Sequence, residues 1–250
     1  MISLTNPNNR ISYYLLYIFN LYKGFLFTIL NSKYENNNIV LYYSKKLFSL
    51  PNRSLFYDKK YEFEEEYFVK KYISKNDIIL ELGACFGYIS CLSNSLIENK
   101  SKHFVLEPNY YLLPYLEKNK KTNDCDFQII NKVISKKKKI KLFLNNSILG
   151  SSLVIKTNNS IEVDGLTLEE LQAQNAIIFD TLIIDIEGAE LKFFQENCLS
   201  NFNKIIIEFH EGPSHLNEDQ LLECKQILIN NNLHLVEKLN DVEVWLKRQQ

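Results

Sequence analysis

Apolar and polar residues alternate along the chain in blocks that predict short buried strands separated by amphipathic helices. Ile78, Ile79 and Leu80 run directly into Glu81, and Gly83 and Gly87 follow four residues apart. A short, wholly apolar run marks a strand buried on both faces, as in a parallel sheet. The same signal recurs at residues 103–106, 127–134, 179–184 and 204–209. Helical patterns fill the gaps at 88–99, 113–121, 166–174, 190–197 and 218–230. Residues 140–144, 153–156 and 160–163 read as extra short strands. Residues 234–238 and 242–247 read as a closing antiparallel pair around Asn240 and Asp241. Regular alternation of strand and helix predicts an α/β domain, its sheet mainly parallel with helices on both faces.

Residues 1–61 precede this pattern as an extension, and the domain is expected over 62–250. Residues 11–30 are apolar, but Asn20, Lys23 and Gly24 interrupt them. Three readings compete for this helix: packing on the domain or on a second copy, lying in a membrane surface, or spanning a membrane. No signal peptide is expected, because the basic start is thin and no small-residue cleavage site follows. Residues 39–43 predict a strand with a hairpin partner near 46–50, ended by Pro51. Residues 62–73 predict a helix with Phe63, Tyr67, Phe68 and Tyr72 at helical spacing. Its acidic residues come first and its basic ones last, as the helix dipole favours.

Composition narrows the function without naming it. The 250 residues are 46% hydrophobic and 24% charged, with net charge -1. No overall basic field argues for a nucleic-acid partner. Lys136 to Lys139, the densest basic cluster, reads as a solvated turn. Five scattered cysteines form no C-x-x-C pair, which fits a reducing, cytoplasmic setting with membrane association left open.

The chemistry centres on Gly83. A glycine after a buried strand lets the chain turn tightly and a ligand approach the backbone. Gly87 opens a helix whose free N–H groups favour a polar ligand group. The dinucleotide fingerprint fails, since Glu81 and Phe86 stand where it needs glycines, and no P-loop Lys follows. Glu107 falls about twenty residues beyond the glycine turn, where a carboxylate can accept ribose hydroxyls. Asp185, Glu187 and His210 stand at or just past strand ends, where ligands of open parallel sheets bind. Each also has a plain structural reading, as a helix cap or a hydrogen-bonded strand-end group.

The motifs in order resemble the FkbM-family methyltransferases, a branch of the class I, Rossmann-like S-adenosylmethionine (SAM) enzymes. ILELGACFGYIS looks like the family's SAM loop and FVLEPN its acidic second motif. GSSL at 150–153, VDGLTLEEL at 163–171, LIIDIEGAELKFF at 182–194, IIIEFH at 205–210 and the late VWLKR are similar to later segments. The resemblance covers about residues 62–248. It implies a seven-stranded, mainly parallel sheet with the antiparallel C-terminal strand pair. It implies SAM as cofactor, held by Glu81, Gly83, Ala84, Cys85, Gly87, Tyr88, Glu107, Pro108, Asn109, Asn131 and Asp185. It also implies O-methylation of a sugar, glycan or glycolipid precursor, or a related small molecule. Cys85 stands where the family often has asparagine, and Ile184 where lysine is common.

O-methylation asks for a base near the acceptor hydroxyl, and His210 has the ordinary pKa range for one. Asp185 could orient the SAM amine and Glu187 sugar hydroxyls. The three could also bind a divalent metal, but their spacing does not demand one, and no metal is assigned. Phe56, Tyr57, Tyr61 and Phe63 are candidates for an acceptor wall. Two rivals stay open at this point: an NAD(P)-dependent oxidoreductase, and a non-catalytic, membrane-associated binding module using residues 11–30.

Overall fold

A computed structural model describes residues 7–144, 152–154, 156–212 and 215–248. The chain starts with helix α1 (Pro7–Leu30), a hairpin of β1 (Tyr34–Asn36) and β2 (Ile39–Leu41), and helices α2 (Arg53–Tyr57) and α3 (Phe63–Tyr72). The main α/β unit follows: β3 (Ile79–Leu82), α4 (Tyr88–Leu96), β4 (His103–Leu106), α5 (Leu113–Thr122) and β5 (Gln128–Ile130). A small sheet of β6 (Val133–Ile134), β7 (Lys139–Phe143) and β8 (Ser160–Leu166) interrupts it. It resumes with α6 (Leu168–Asn175), β9 (Thr181–Ile184), α7 (Glu190–Glu196), β10 (Lys204–Glu208), α8 (Glu218–Asn230), β11 (Leu233–Leu239) and β12 (Val242–Lys247).

The seven-stranded sheet has the order β11-β12-β10-β9-β3-β4-β5. Neighbours from β10 to β5 pair in parallel, and β12 inserts antiparallel between β10 and β11. From β3 the chain moves outward through β4 and β5, then crosses back to add β9 and β10 on the other side. The order therefore reverses between β3 and β9, which opens a crevice at their carboxyl ends.

Alternate strand residues point to opposite faces. Ile79, Val105, Ile183, Ile206 and Val244 pack with Phe68 of α3, Leu92 of α4 and Leu116 of α5. Leu80, Leu106, Leu182, Ile205 and Trp245 pack with Leu171 of α6, Phe194 of α7 and Leu228 of α8. This makes three layers with a buried sheet in the middle.

The N-terminal extension shares the first of these cores. Phe27, Tyr34, Phe48, Phe56 and Tyr61 join Phe86 and Tyr88 in one aromatic cluster. Asparagine side chains of α5 and the turn after it tie β2 down: Asn119 exchanges hydrogen bonds with Tyr42, and Asn123 with Val40.

Several elements differ from expectation. β2 pairs with β1 instead of residues 46–50, because Asn37 and Asn38 take the left-handed conformations of a tight hairpin turn. The strand expected over 127–134 breaks into β5 and β6. At the break, Asn131 Nδ2 donates to the carbonyls of Glu107 and Pro108. The strand expected at 153–156 is absent among the described residues, where a single bridge joins Ser152 to Phe143. Gly150, Ser151 and Ile155 lie outside the described residues. Helix α3 turns Phe63 and Tyr67 outward and buries Glu65 and Glu66 beside Phe68 and Val69. Among the described residues no helix is long and apolar enough to cross a membrane.

Candidate functional site

The crevice is shaped by the turn after β3. Gly83 has φ +88°, and a Cβ there would lie 1.8 Å from the carbonyl oxygen of Asp185. Only glycine lets β3 and β9 stay this close while the chain turns. The turn is braced by Glu107, whose Oε2 accepts from the Cys85 N–H and Oε1 from the Asn109 N–H, both at 2.8 Å. Burial pushes the Glu107 carboxyl up to about 7, against the pull of these backbone bonds. An open cleft of about 1030 Å³, counting its mouth, runs from here between β3, β4, β9 and the small sheet. Leu106, Pro108, Leu112 and Val133 line it, as do Glu107, Asp185 and Glu187.

A second turn follows β9. Glu187 (φ 52°) and Gly188 (φ 93°) both adopt left-handed backbone, which turns the chain sharply into α7. Around this turn sits a histidine among four carboxylates. His210 Nε2 lies 3.4 Å from Asp185 Oδ1, 3.5 Å from Glu187 Oε2 and 3.8 Å from Glu208 Oε2. Its Nδ1 is 2.9 Å from Oε1 of Glu190, a wholly buried carboxylate that also accepts from the Gly188 N–H. Burial opposes the imidazolium, but the Glu190 bond and the Asp185, Glu187 and Glu208 charges overcome it and push His210 up to about 10. Glu187 is raised by its own burial, which the charge of His210 partly offsets. Asp185 is raised well above the carboxylate range, by burial first and the nearby Glu208 charge second. Ligand atoms of Asp185, Glu187 and His210 lie within 4.8 Å of one another, a spacing a cation would fit.

Behind Gly83 and Asp185 a smaller cavity is walled by Glu62, Glu65, Glu81 and Glu208. Glu62 also faces the main cleft, and burial pushes it up to about 8. Glu65 is raised too, through burial and the charge of Glu208. Several carboxylates held close together with little counter-charge raise one another's pKa.

The expected residues thus divide. Gly83, Cys85, Glu107, Pro108, Asp185 and Glu187 line the main cleft. Glu81 and Ala84 face the smaller cavity, where Glu81 accepts from Ser90 Oγ (2.6 Å) and pairs with His103 (2.9 Å). His210 stands one layer behind Asp185 and Glu187, outside the cleft lining. Asn109 and Asn131 brace the β4 turn, without lining the cleft. Gly87 has φ +83°, which favours glycine, and a Cβ there would also lie 2.3 Å from Leu116 Cδ1. Tyr88 is fully buried, and its hydroxyl bonds Glu66, Asn36 and Asn37. Phe56 and Tyr61 are core residues, while Tyr57 and Phe63 are exposed on the surface, so these four form no wall at the cleft. Glu62 and Glu65 escaped the sequence reading, because acidic residues opening a helix look like dipole partners.

A family model described as the methyltransferase FkbM domain matches residues 81–249, about two thirds of the chain. No curated protein matches the sequence significantly. Among solved structures, the chain is similar to a precorrin-6y C5,15-methyltransferase from Geobacter metallireducens GS-15, with 12% identity, 83% and 93% of the two chains covered and TM-score 0.46. A ribosomal protein L11 methylase from Lactobacillus delbrueckii subsp. bulgaricus gives 11% identity, 74% and 77% coverage and TM-score 0.45. An O-methyltransferase from Bacillus cereus in complex with SAH gives 13%, 73% and 79%, and 0.43. Likenesses this remote say nothing about the substrate.

Proposed function

The chain belongs to the FkbM methyltransferase family, its cofactor is SAM, and we propose that it methylates a hydroxyl oxygen of a sugar, a glycan or glycolipid precursor, or a related small molecule. Family membership removes the NAD(P)-dependent reading. The lining of the cleft fits the cofactor in chemistry. Its apolar end at Leu106, Pro108, Leu112 and Val133 would take the adenine ring. Glu107 and the Gly83–Cys85 backbone would hold the ribose, and Asp185 and Glu62 would face the ammonium group. When bound, SAM supplies a methyl group on a sulfonium centre, open to in-line displacement.

The protein's own part is to aim the acceptor and take its proton. Glu187 is at the cleft wall, and burial raises its carboxyl above its ordinary value, which makes it a stronger base. In this reading the acceptor hydroxyl gives its proton to a Glu187 carboxylate oxygen. His210, protonated up to about pH 10, stands behind Glu187 and Asp185, and its charge favours their ionised forms against the burial that raises both. Glu190 fixes the ring through Nδ1, so that Nε2 faces the two carboxylates. His210 thus acts as a positioning residue, one step back from the base expected of it.

The observation that carries this reading is the Glu190–His210–Glu187 line ending at the cleft. It is tested by incubating the protein with SAM and panels of sugars, lipid-linked sugars and amines, and following S-adenosylhomocysteine. Methyl groups on hydroxyl oxygens alone support the proposal; methylation confined to nitrogen or carbon overturns it.

A further inference from the structure

The C-terminal half of helix α1 is held firmly to the body. Gly24 packs on the Leu50 carbonyl, so closely that a Cβ would lie 1.8 Å from its oxygen. Phe27 is buried against Tyr43 and Phe56. Lys23 pairs with Asp58 at 2.6 Å, and Arg53 Nη1 donates to Thr28 Oγ1 at 2.9 Å. One turn earlier the picture changes. Leu15, Leu16, Tyr17, Ile18 and Phe19 are each at least 45% exposed. Five successive helical residues, at about 100° apiece, sweep the whole circumference. The exposed apolar surface is therefore a cylinder, not a stripe, and it continues along the outer face through Tyr22, Phe25, Ile29 and Leu30.

A helix apolar on every side asks to be surrounded by apolar material. A second copy serves poorly. The side chains from Leu15 to Phe19, about half exposed, present on the order of 500 Å² together, at ~150–250 Å² for a large side chain. A partner helix would cover one side of this cylinder and leave the other side in water. A lipid leaflet covers all sides. The eight residues from Ser12 to Phe19, about 12 Å of helix, can lie in the plane of one leaflet with the polar residues at either end among the headgroups. The segment 7–30 contains no acidic residue to repel anionic headgroups, and its one basic residue besides the Asp58-paired Lys23 is Arg10. Tyr17 and Tyr22 supply amphipathic rings of the kind enriched at membrane surfaces. We propose that the outer half of α1 inserts into a single leaflet of an anionic lipid membrane and holds the methyltransferase at its surface.

The test is flotation of the full chain with vesicles of phosphatidylcholine and phosphatidylglycerol, beside the double variant Leu15→Glu, Ile18→Glu. Both sites are exposed, so the variant should keep the wild-type melting temperature. A control variant, Phe63→Glu, places a charge at an exposed aromatic outside α1. The wild type and the control should float. The double variant should lose at least about a hundredfold in partition coefficient, since two large apolar side chains leave the lipid and two charges replace them. Wild-type protein that stays with the soluble fraction overturns the proposal. So does equal flotation of the double variant, or light scattering that shows a lipid-indifferent dimer broken by Leu15→Glu, Ile18→Glu.

Discussion

Substituting Gly83 by alanine strikes the point where the two central strands meet. An added Cβ would sit 1.8 Å from the Asp185 carbonyl oxygen, whereas an ordinary contact begins at 3.4 Å, so that oxygen must retreat by about 1.6 Å. It has little freedom to do so, because the Asp185 N–H donates to the Leu82 carbonyl at 3.0 Å. The residue also has φ +88°, which costs alanine about 1–2 kcal/mol. Forcing one extra carbon into a packed contact adds about 1–3 kcal/mol. The expected loss is about 2–5 kcal/mol, or at least about 4 °C in melting temperature for a chain of this size. Because the strain falls on Asp185, whose side chain lines the cleft, SAM affinity should fall as well. Thermal melting with and without SAM, with calorimetric titration, measures both. A Gly83→Ala protein that melts within 1 °C of wild type and binds SAM unchanged would refute the packing argument.

Replacing Glu107 by glutamine leaves one of the two backbone N–H groups, of Cys85 or Asn109, facing an amide NH2 instead of an oxygen. The unmade buried hydrogen bond should cost about 1–3 kcal/mol of stability, and loosening of the turn should weaken SAM binding measured by titration. The pH profile of kcat/KM should be bell-shaped. Its rising limb follows ionisation of Glu187, above the usual carboxylate range, and its falling limb lies near 10, where His210 loses its proton. His210→Gln should abolish the falling limb and move the rising limb to higher pH, because the cation that lowers Glu187's pKa is gone. A profile left unchanged by that substitution would contradict the role assigned to His210. Proton transfer to Glu187 needs no metal, so activity should survive excess EDTA; loss restored by Mg²⁺ would instead show a cation bound by Asp185, Glu187 and His210.

Much of this was legible because parallel strands are short apolar runs that stop at their functional ends. Glu107, Asp185 and Glu187 each follow such a run, and each reaches the cleft. What stayed hidden depends on contacts distant in sequence. Leu116 packs on Gly87 from 29 residues away, a contact that no local pattern announces. The Tyr88 hydroxyl meets Glu66 and the β1–β2 turn, partners 22 to 52 residues away in sequence. Asn119 and Asn123 read as plain polar helix residues, yet they serve as the partner for the free edge of β2. His210 carries a base's chemistry at a strand end, and only its three-dimensional neighbours put it behind the carboxylates and keep it charged.

Titrating the full-length protein with SAM, and separately with NAD, in a calorimeter tests the central claim most directly. The account predicts one SAM bound per chain, displaced by S-adenosylhomocysteine and weakened by Glu107→Gln, with no heat from NAD. Folded protein that takes up no SAM at millimolar concentration would contradict it.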